Sequence, residues 1–244
     1  MEWWKEIFGE LYFKIDGAKK WAHRDSEAIE LILELKKEDA ILDLACGYGR
    51  IAIELSKKNY MVMGFDLSQS FLELAKKAAK RENLAVQFVR GDMRRIPFKG
   101  RFDCIINWQT SFGYFEDEED NFRVLQEVYW ALKPGGKLLL DVVNRNNLIK
   151  RFATKNWTER EDYYFLVEDK FNPLTSRLET DWILIWKKGD VRKLSHSVRI
   201  YSLHEIRTML KKAGFIDIKV LGNYQGEDFN AASSRIITLC WRGG

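Results

Sequence analysis

The sequence predicts an α/β fold: a doubly wound, mostly parallel seven-stranded sheet with a small antiparallel β insertion. Three observations carry this. Between residues 40 and 143 short apolar runs alternate with amphipathic helical stretches, the pattern of a parallel sheet covered on both faces. The first run breaks into a Gly-x-Gly turn at Gly47 and Gly49 and passes at once into a helix. Residues 151–200 instead alternate with a period of two, as in Leu178, Thr180, Trp182, Leu184 and Trp186.

In chain order, residues 40–44 predict strand one and residues 50–58 a helix. Residues 61–66 predict strand two. A helix follows over 68–81, with Phe71, Leu72, Ala75, Ala78 and Ala79 on its buried side. Strands three and four fall at 86–90 and 102–107. The helix over 117–132 opens with acids that suit its positive end, and strand five covers 137–143. After the insertion come a helix over 203–213, closed by Gly214, and strands near 216–221 and 236–241. The insertion predicts three strands, at 161–171, 177–186 and 191–200, joined by a turn at Asn172-Pro173 and a short hairpin loop. Residues 1–39 form an aromatic-rich N-terminal helical cap, in which Ser26 caps a helix running to Leu35.

Composition narrows the function. The chain has 244 residues, 46% hydrophobic, enough for one large domain or a domain with a lid. Charged residues make up 31%, a thermophile-like balance. Net charge is only +4, and Lys and Arg stand beside Glu along the helices. That reads as a solvated surface, not a nucleic-acid face. Cys46, Cys104 and Cys240 lack metal-ligand spacing, so no metal is expected and the thiols read as reduced. No apolar run reaches the ~18 residues of a membrane span, so a cytoplasmic protein is expected.

The glycine turn carries the chemistry. Glycines let the backbone turn tightly and approach a ligand, and the helix behind them offers free amides. Asp43 stands four residues before Gly47, and Asp66 ends strand two. A nucleotide-like ligand across the carboxyl ends of parallel strands is implied. The spacing Gly47-x-Gly49-x-x-Ala52 also fits a dinucleotide fingerprint, where the helix N-terminus holds a pyrophosphate. Asp43 argues against that reading, because its carboxylate would face a doubly anionic diphosphate. It suits a ligand with a cationic amine.

The stretch from Ala40 to Arg50 resembles motif I of the class I S-adenosylmethionine-dependent methyltransferases. Phe65-Asp66-Leu67-Ser68 resembles the motif after strand two, and Gly91-Asp92-Met93 the motif after strand three. Lys133-Pro134-Gly135-Gly136-Lys137 resembles the turn into strand five. The resemblance implies a Rossmann-like methyltransferase core over 40–150 and 201–244, ending in a reversed-strand hairpin. It also implies S-adenosylmethionine as cofactor and S-adenosylhomocysteine as product. Asp43 would then offset the cofactor's cationic end, and Ala45, Gly47 and Gly49 would bring backbone to its methionine part. Asp66 would accept both ribose hydroxyls. Leu67 and Met93 would sandwich adenine, and Asp92 would accept its amino hydrogen unless it is only a turn residue. Arg50 reads either as surface or as partner of the cofactor carboxylate. Tyr12 is the aromatic candidate from the N-terminal cap, and Asn107 and Trp108 would touch cofactor at the end of strand four.

The loop from Asn107 to Phe115 contains no proline. It therefore departs from the Asn/Asp-Pro-Pro-aromatic pattern of relatives that methylate amino groups on DNA or protein. It resembles the loop of small-molecule methyltransferases, with Gln109, Ser111 and Tyr114 facing substrate and Phe112 and Phe115 in the core. His196 is the candidate base from the insertion. The insertion reads as a lid or a dimerisation sheet, so the protein is a monomer or homodimer. The acceptor is the N or O nucleophile of a small molecule. The alternatives are an RNA methyltransferase, which would want a basic aromatic face, a non-catalytic S-adenosylmethionine-binding module, and a nicotinamide oxidoreductase.

Overall fold

A computed structural model describes residues 10–15, which form the helix α1 (Glu10–Ile15), and 20–244; the rest of the expected N-terminal cap before residue 20 lies outside the described residues. Its main sheet has seven strands in the order β3-β2-β1-β4-β5-β11-β10. These are β1 (Ala40–Leu44), β2 (Met61–Asp66), β3 (Gln87–Arg90), β4 (Phe102–Asn107), β5 (Leu132–Val143), β10 (Phe215–Leu221) and β11 (Arg235–Arg242). The first five are parallel, and β11 and β10 run antiparallel at one edge. The doubly wound expectation and the reversed hairpin both hold. β1 sits between β2 and β4, so the chain leaves it in opposite directions on either side. That switch point opens a crevice at the carboxyl ends of the strands.

Alternation along the strands feeds two cores. Leu42, Leu44, Ile105, Leu138, Leu140 and Val142 pack with α5 (Glu118–Ala131) and α7 (Leu203–Lys212). Ile41, Cys104, Ile106 and Leu139 pack on the other face with α2 (Ala22–Leu33), α3 (Arg50–Lys57) and α4 (Gln69–Arg81). Helix starts follow local chemistry. Ser68 accepts from the Phe71 amide at the head of α4. Ser202 and Glu205 form a capping box on α7.

Several expectations need correction. α2 begins at Ala22, and Ser26 lies inside it, buried, donating to the His23 carbonyl at 2.7 Å. The hydroxyl is satisfied within the helix and caps nothing. β5 starts at Leu132, ahead of the Pro-Gly-Gly turn. A short helix, α6 (Arg145–Lys150), is capped by Asn144. The insertion holds four strands, β6 (Lys155–Glu159), β7 (Tyr163–Asn172), β8 (Arg177–Trp186) and β9 (Val191–Arg199), in a separate antiparallel sheet. β6 escapes the sequence because Lys-Asn-Trp-Thr-Glu has no alternation; it forms by pairing with the edge of β7. Among the described residues no helix is long and apolar enough to cross a membrane.

Candidate functional site

The glycine turn after β1 holds left-handed backbone at Ala45, Gly47 and Gly49, with φ of 58°, 55° and 78°. Gly49 is the N-cap of α3 and has no side chain to cap it. Asp43 does that work from β1: its Oδ2 accepts the Ala52 amide at 3.1 Å. Asp66 reaches across from β2, where Oδ2 accepts the Gly47 amide and Oδ1 the Ser68 amide, each at 2.8 Å. The amides a diphosphate would take are therefore already bonded to carboxylates. Burial raises the Asp66 carboxyl above its ordinary value. It pushes Asp43 up to about 7, against the pull of Arg50 and the Ala52 amide.

Around this turn lies a cavity of about 800 Å³, within the range of roughly 300–1,000 Å³ usual for small-molecule sites. It brings together most of the residues the sequence singles out: Tyr12, Asp43, Ala45, Gly47, Arg50, Asp66, Leu67, Asp92, Met93, Trp108, Gln109, Ser111 and Tyr114 all line it. Gly49, Asn107 and His196 do not. Gly49 faces the protein: a Cβ there would lie 2.9 Å from Ala75 Cβ and from the Phe88 ring. Asn107 is buried and donates to the Leu44 carbonyl. Phe115, expected in the core, lines the cavity, whereas Phe112 is core.

Three lining residues are engaged with other side chains. Arg50 is held by the buried Asp25 of α2, Nη1 to Oδ2 at 2.8 Å. The Gln109 amide group donates to the same Oδ2 at 3.0 Å, so its side chain is tied down. Asp92 is gripped by Arg94, which also reaches Asp120 at 2.6 Å. Burial alone would raise the Asp92 carboxyl, but the Arg94 bonds and charge outweigh it and the net shift is downward.

The loop after β4 is the most constrained part of the site. Gln109 and Thr110 are consecutive non-glycine residues in the left-handed region, at φ 55° and 61°, a conformation that costs about 1–2 kcal/mol per residue. Ser111 Oγ donates to the Trp108 carbonyl. Trp108 stacks on Tyr224 with ring centroids 4.8 Å apart, and among the described residues nothing accepts from its buried indole N–H. Farther on, Arg177 of β8 donates to the carbonyls of Phe115 and Tyr114. Arg199 of β9 donates its amide to the Gly113 carbonyl. The small sheet is thus stitched to this loop.

That sheet brings Trp182 against Tyr12 at 5.4 Å and His196 near Tyr114 at 6.4 Å. Burial pushes the Tyr114 phenol up to about 12. It pushes His196 down to about 4, and Nδ1 is buried with no partner among the described residues. Such an imidazole is neutral and too weakly basic to serve as a general base near neutral pH. Sequence reasoning missed Asp25, Arg94, Asp141, Arg177 and Arg235. Asp141 alone carried a signal, an acid inside the apolar run of β5.

The donor set fits S-adenosylmethionine. Arg50 and Asp43 bracket a zwitterionic end. Asp66 keeps unused lone pairs for a diol, since each oxygen has accepted one amide. Leu67, Met93 and Asp92 form an apolar slot with one acceptor, as adenine requires. A methyltransferase domain model matches residues 41–136. The chain carries a methyltransferase domain on the fold of the S-adenosylmethionine-dependent methyltransferases. It is 28% identical over 207 residues to the putative methyltransferase YqeM of Bacillus subtilis (strain 168), covering 83% of each chain. Its fold matches the CcbJ methyltransferase of Streptomyces caelestis with a TM-score of 0.86 at 18% identity, over 99% of this chain and 98% of that one. It also matches the sugar N-methyltransferase KedS8 of Streptoalloteichus sp ATCC 53650 with a TM-score of 0.68 at 19% identity, over 96% and 92%.

Proposed function

We propose that this methyltransferase methylates a nitrogen of a small-molecule amine. The observation that carries the reading is an aromatic wall of Tyr12, Tyr114 and Phe115 that shares the cavity with the acids Glu116, Asp117 and Asp120, a setting that attracts a cationic amine. None of the chain's three histidines lines the cavity. His196, the nearest candidate, sits behind Tyr114 and Trp182 with its basicity depressed. An alcohol must lose a far more tightly held proton to become a strong nucleophile, whereas an ammonium ion drawn to these acids gives up its proton more readily and then attacks through its lone pair.

Bound in this cavity, S-adenosylmethionine supplies a methyl group activated by cationic sulfur. The protein's work is to position and to exclude water. Asp43, Arg50, Asp66 and Asp92 hold the cofactor. Ser111, Tyr114 and Tyr12 form the acceptor wall, and the β6–β9 sheet closes over it as a lid through Trp182. The name of the sugar N-methyltransferase among the fold relatives is consistent with an amine acceptor.

The test is a turnover screen over amine, phenol and carboxylate libraries, with products read by mass spectrometry. Methylated amines with matching S-adenosylhomocysteine release are expected. Turnover confined to phenols or carboxylates would overturn the reading. Turnover on RNA alone, or cofactor binding with no turnover on any class, would replace it with the RNA enzyme or the binding module.

A further inference from the structure

Asp141 lies near the carboxyl end of β5, fully buried, and does not line the cavity. Its carboxylate gathers three donors. Oδ2 accepts the Gln109 amide at 2.9 Å and the Tyr224 hydroxyl at 3.0 Å. Oδ1 accepts Arg235 Nε at 2.7 Å. Its backbone carbonyl accepts the Thr110 amide at 2.9 Å. The Thr110 hydroxyl is held in turn by Arg235 Nη2 at 3.0 Å and the Val143 amide at 3.1 Å. Four of these six bonds end on the two left-handed residues. Neither is glycine, so the conformation persists only where surrounding contacts over-determine it.

The network continues past the loop. Held by Asp141 at its backbone, Gln109 extends its side chain to Asp25, and Asp25 holds Arg50. A single bonded chain thus runs Arg235–Asp141–Gln109–Asp25–Arg50, from the last strand of the sheet to the glycine turn. Tyr224, bonded to Asp141, also forms the plate on which Trp108 stacks.

We infer that Asp141 is a positioning residue for methyl transfer. It fixes the acceptor loop at Gln109 and Thr110 and, through Gln109 and Asp25, sets Arg50 at the cofactor's carboxylate end. The inference rests on the reading of this cavity as the methyl-transfer site. Asp141 touches neither ligand, so its effect on binding passes through the network. Buried networks of this kind fix geometry only when every member is satisfied.

The experiment uses the full chain with S-adenosylhomocysteine as calorimetric probe and the best amine from the screen as acceptor. Asp141→Asn leaves one oxygen for the Gln109 amide but strips the charge from Arg235. Asp141→Asn combined with Arg235→Gln restores a neutral bonded pair. Both are measured at a temperature where circular dichroism shows them folded. Asp141→Asn is expected to weaken the probe by about two- to thirty-fold, the range for coupling through a network, and to lower kcat more than it raises the acceptor KM. The double variant is expected to recover most of the probe affinity. Gln109→Met, which cuts the chain to Asp25 and leaves Asp141 intact, is expected to weaken the probe and to make the Asp141→Asn effect on it smaller. Wild-type affinity in folded Asp141→Asn, or strictly additive effects of Asp141→Asn and Gln109→Met, would overturn the inference. A wild-type protein that ignores the probe would instead overturn the cofactor assignment.

Discussion

The Asp66 carboxylate accepts the amide of Gly47 at 2.8 Å and so ties the end of β2 to the turn that ends β1. One side chain both shapes the glycine turn and lines the cavity. The Ser68 amide on the other oxygen completes the brace. This explains why an acid at the end of the second strand and a glycine turn after the first occur together.

Asp66→Ala is expected to lower S-adenosylhomocysteine affinity tenfold or more. Charge-assisted hydrogen bonds to ribose hydroxyls are worth ~1.5–3 kcal/mol each, and the mutant also releases the Gly47 amide. Calorimetry on the folded variant measures it. The same titration with NAD should give no heat for the wild type, because Asp43 and Asp66 face the place a diphosphate would need. Unchanged affinity in the mutant would reduce Asp66 to a loop brace.

The two glycines of the turn should fail differently. Gly47→Ala meets only ordinary contact, 3.7 Å to Phe71, and loses roughly 1–2 kcal/mol for its left-handed backbone. Gly49→Ala adds collisions at 2.9 Å with Ala75 and Phe88, an overpacking cost of about 1–3 kcal/mol more. Urea midpoints should therefore fall further for Gly49→Ala. Equal midpoints would show that Phe88 yields freely.

Asp43 is expected to couple cofactor binding to proton release. Its folded carboxyl is raised to about 7 by burial, above an unfolded value of about 3.9. The folded state therefore holds the proton more tightly. Asp43's contribution to stability declines as pH rises from about 4 to about 7 and is level above that. A cationic ammonium beside Asp43 favours the ionised form, so binding should release a proton below pH 7. Heats of S-adenosylhomocysteine binding should depend on buffer ionisation enthalpy at pH 6 but not at pH 8.5. Asp43→Asn should abolish the dependence. Its persistence in that variant would assign the proton to another group.

Replacing residues 155–197 by a short Gly/Ser linker should spare cofactor binding, since no cofactor contact lies in that stretch. Cutting after Ser197 keeps the buried Val198, Ile200 and Tyr201. Turnover should collapse, because the acceptor wall opens to water and the Arg177 bonds to Tyr114 and Phe115 are lost. Trp182→Ala should reproduce part of that loss with cofactor affinity intact. A dimerisation sheet predicts the opposite pair: a new monomer by light scattering, with turnover per site largely kept.

The sequence by itself determined the strand-turn-helix core and the order of its motifs, and it singled out the acids Asp43, Asp66 and Asp92 as candidates for holding the cofactor. These signals are local: a glycine turn, an acid at a strand end and a helix cap each act within a few residues. It also showed three strands of the insertion, β7, β8 and β9, with alternation in β8. Only the tertiary structure decided which of these residues face the ligand. Gly49 and Asn107 sit in the right motifs yet turn into the protein, because helix packing and a neighbouring strand claim them. Only the fold revealed the network that fixes the acceptor loop. Gln109 meets Asp25 across 84 residues of sequence, and Arg235 meets Asp141 across 94. Partners that far apart leave no periodicity or spacing to read. They become neighbours because the reversed last strand lies beside β5 and α2 packs over the glycine turn, and a buried charge is stable there only once its partner has arrived.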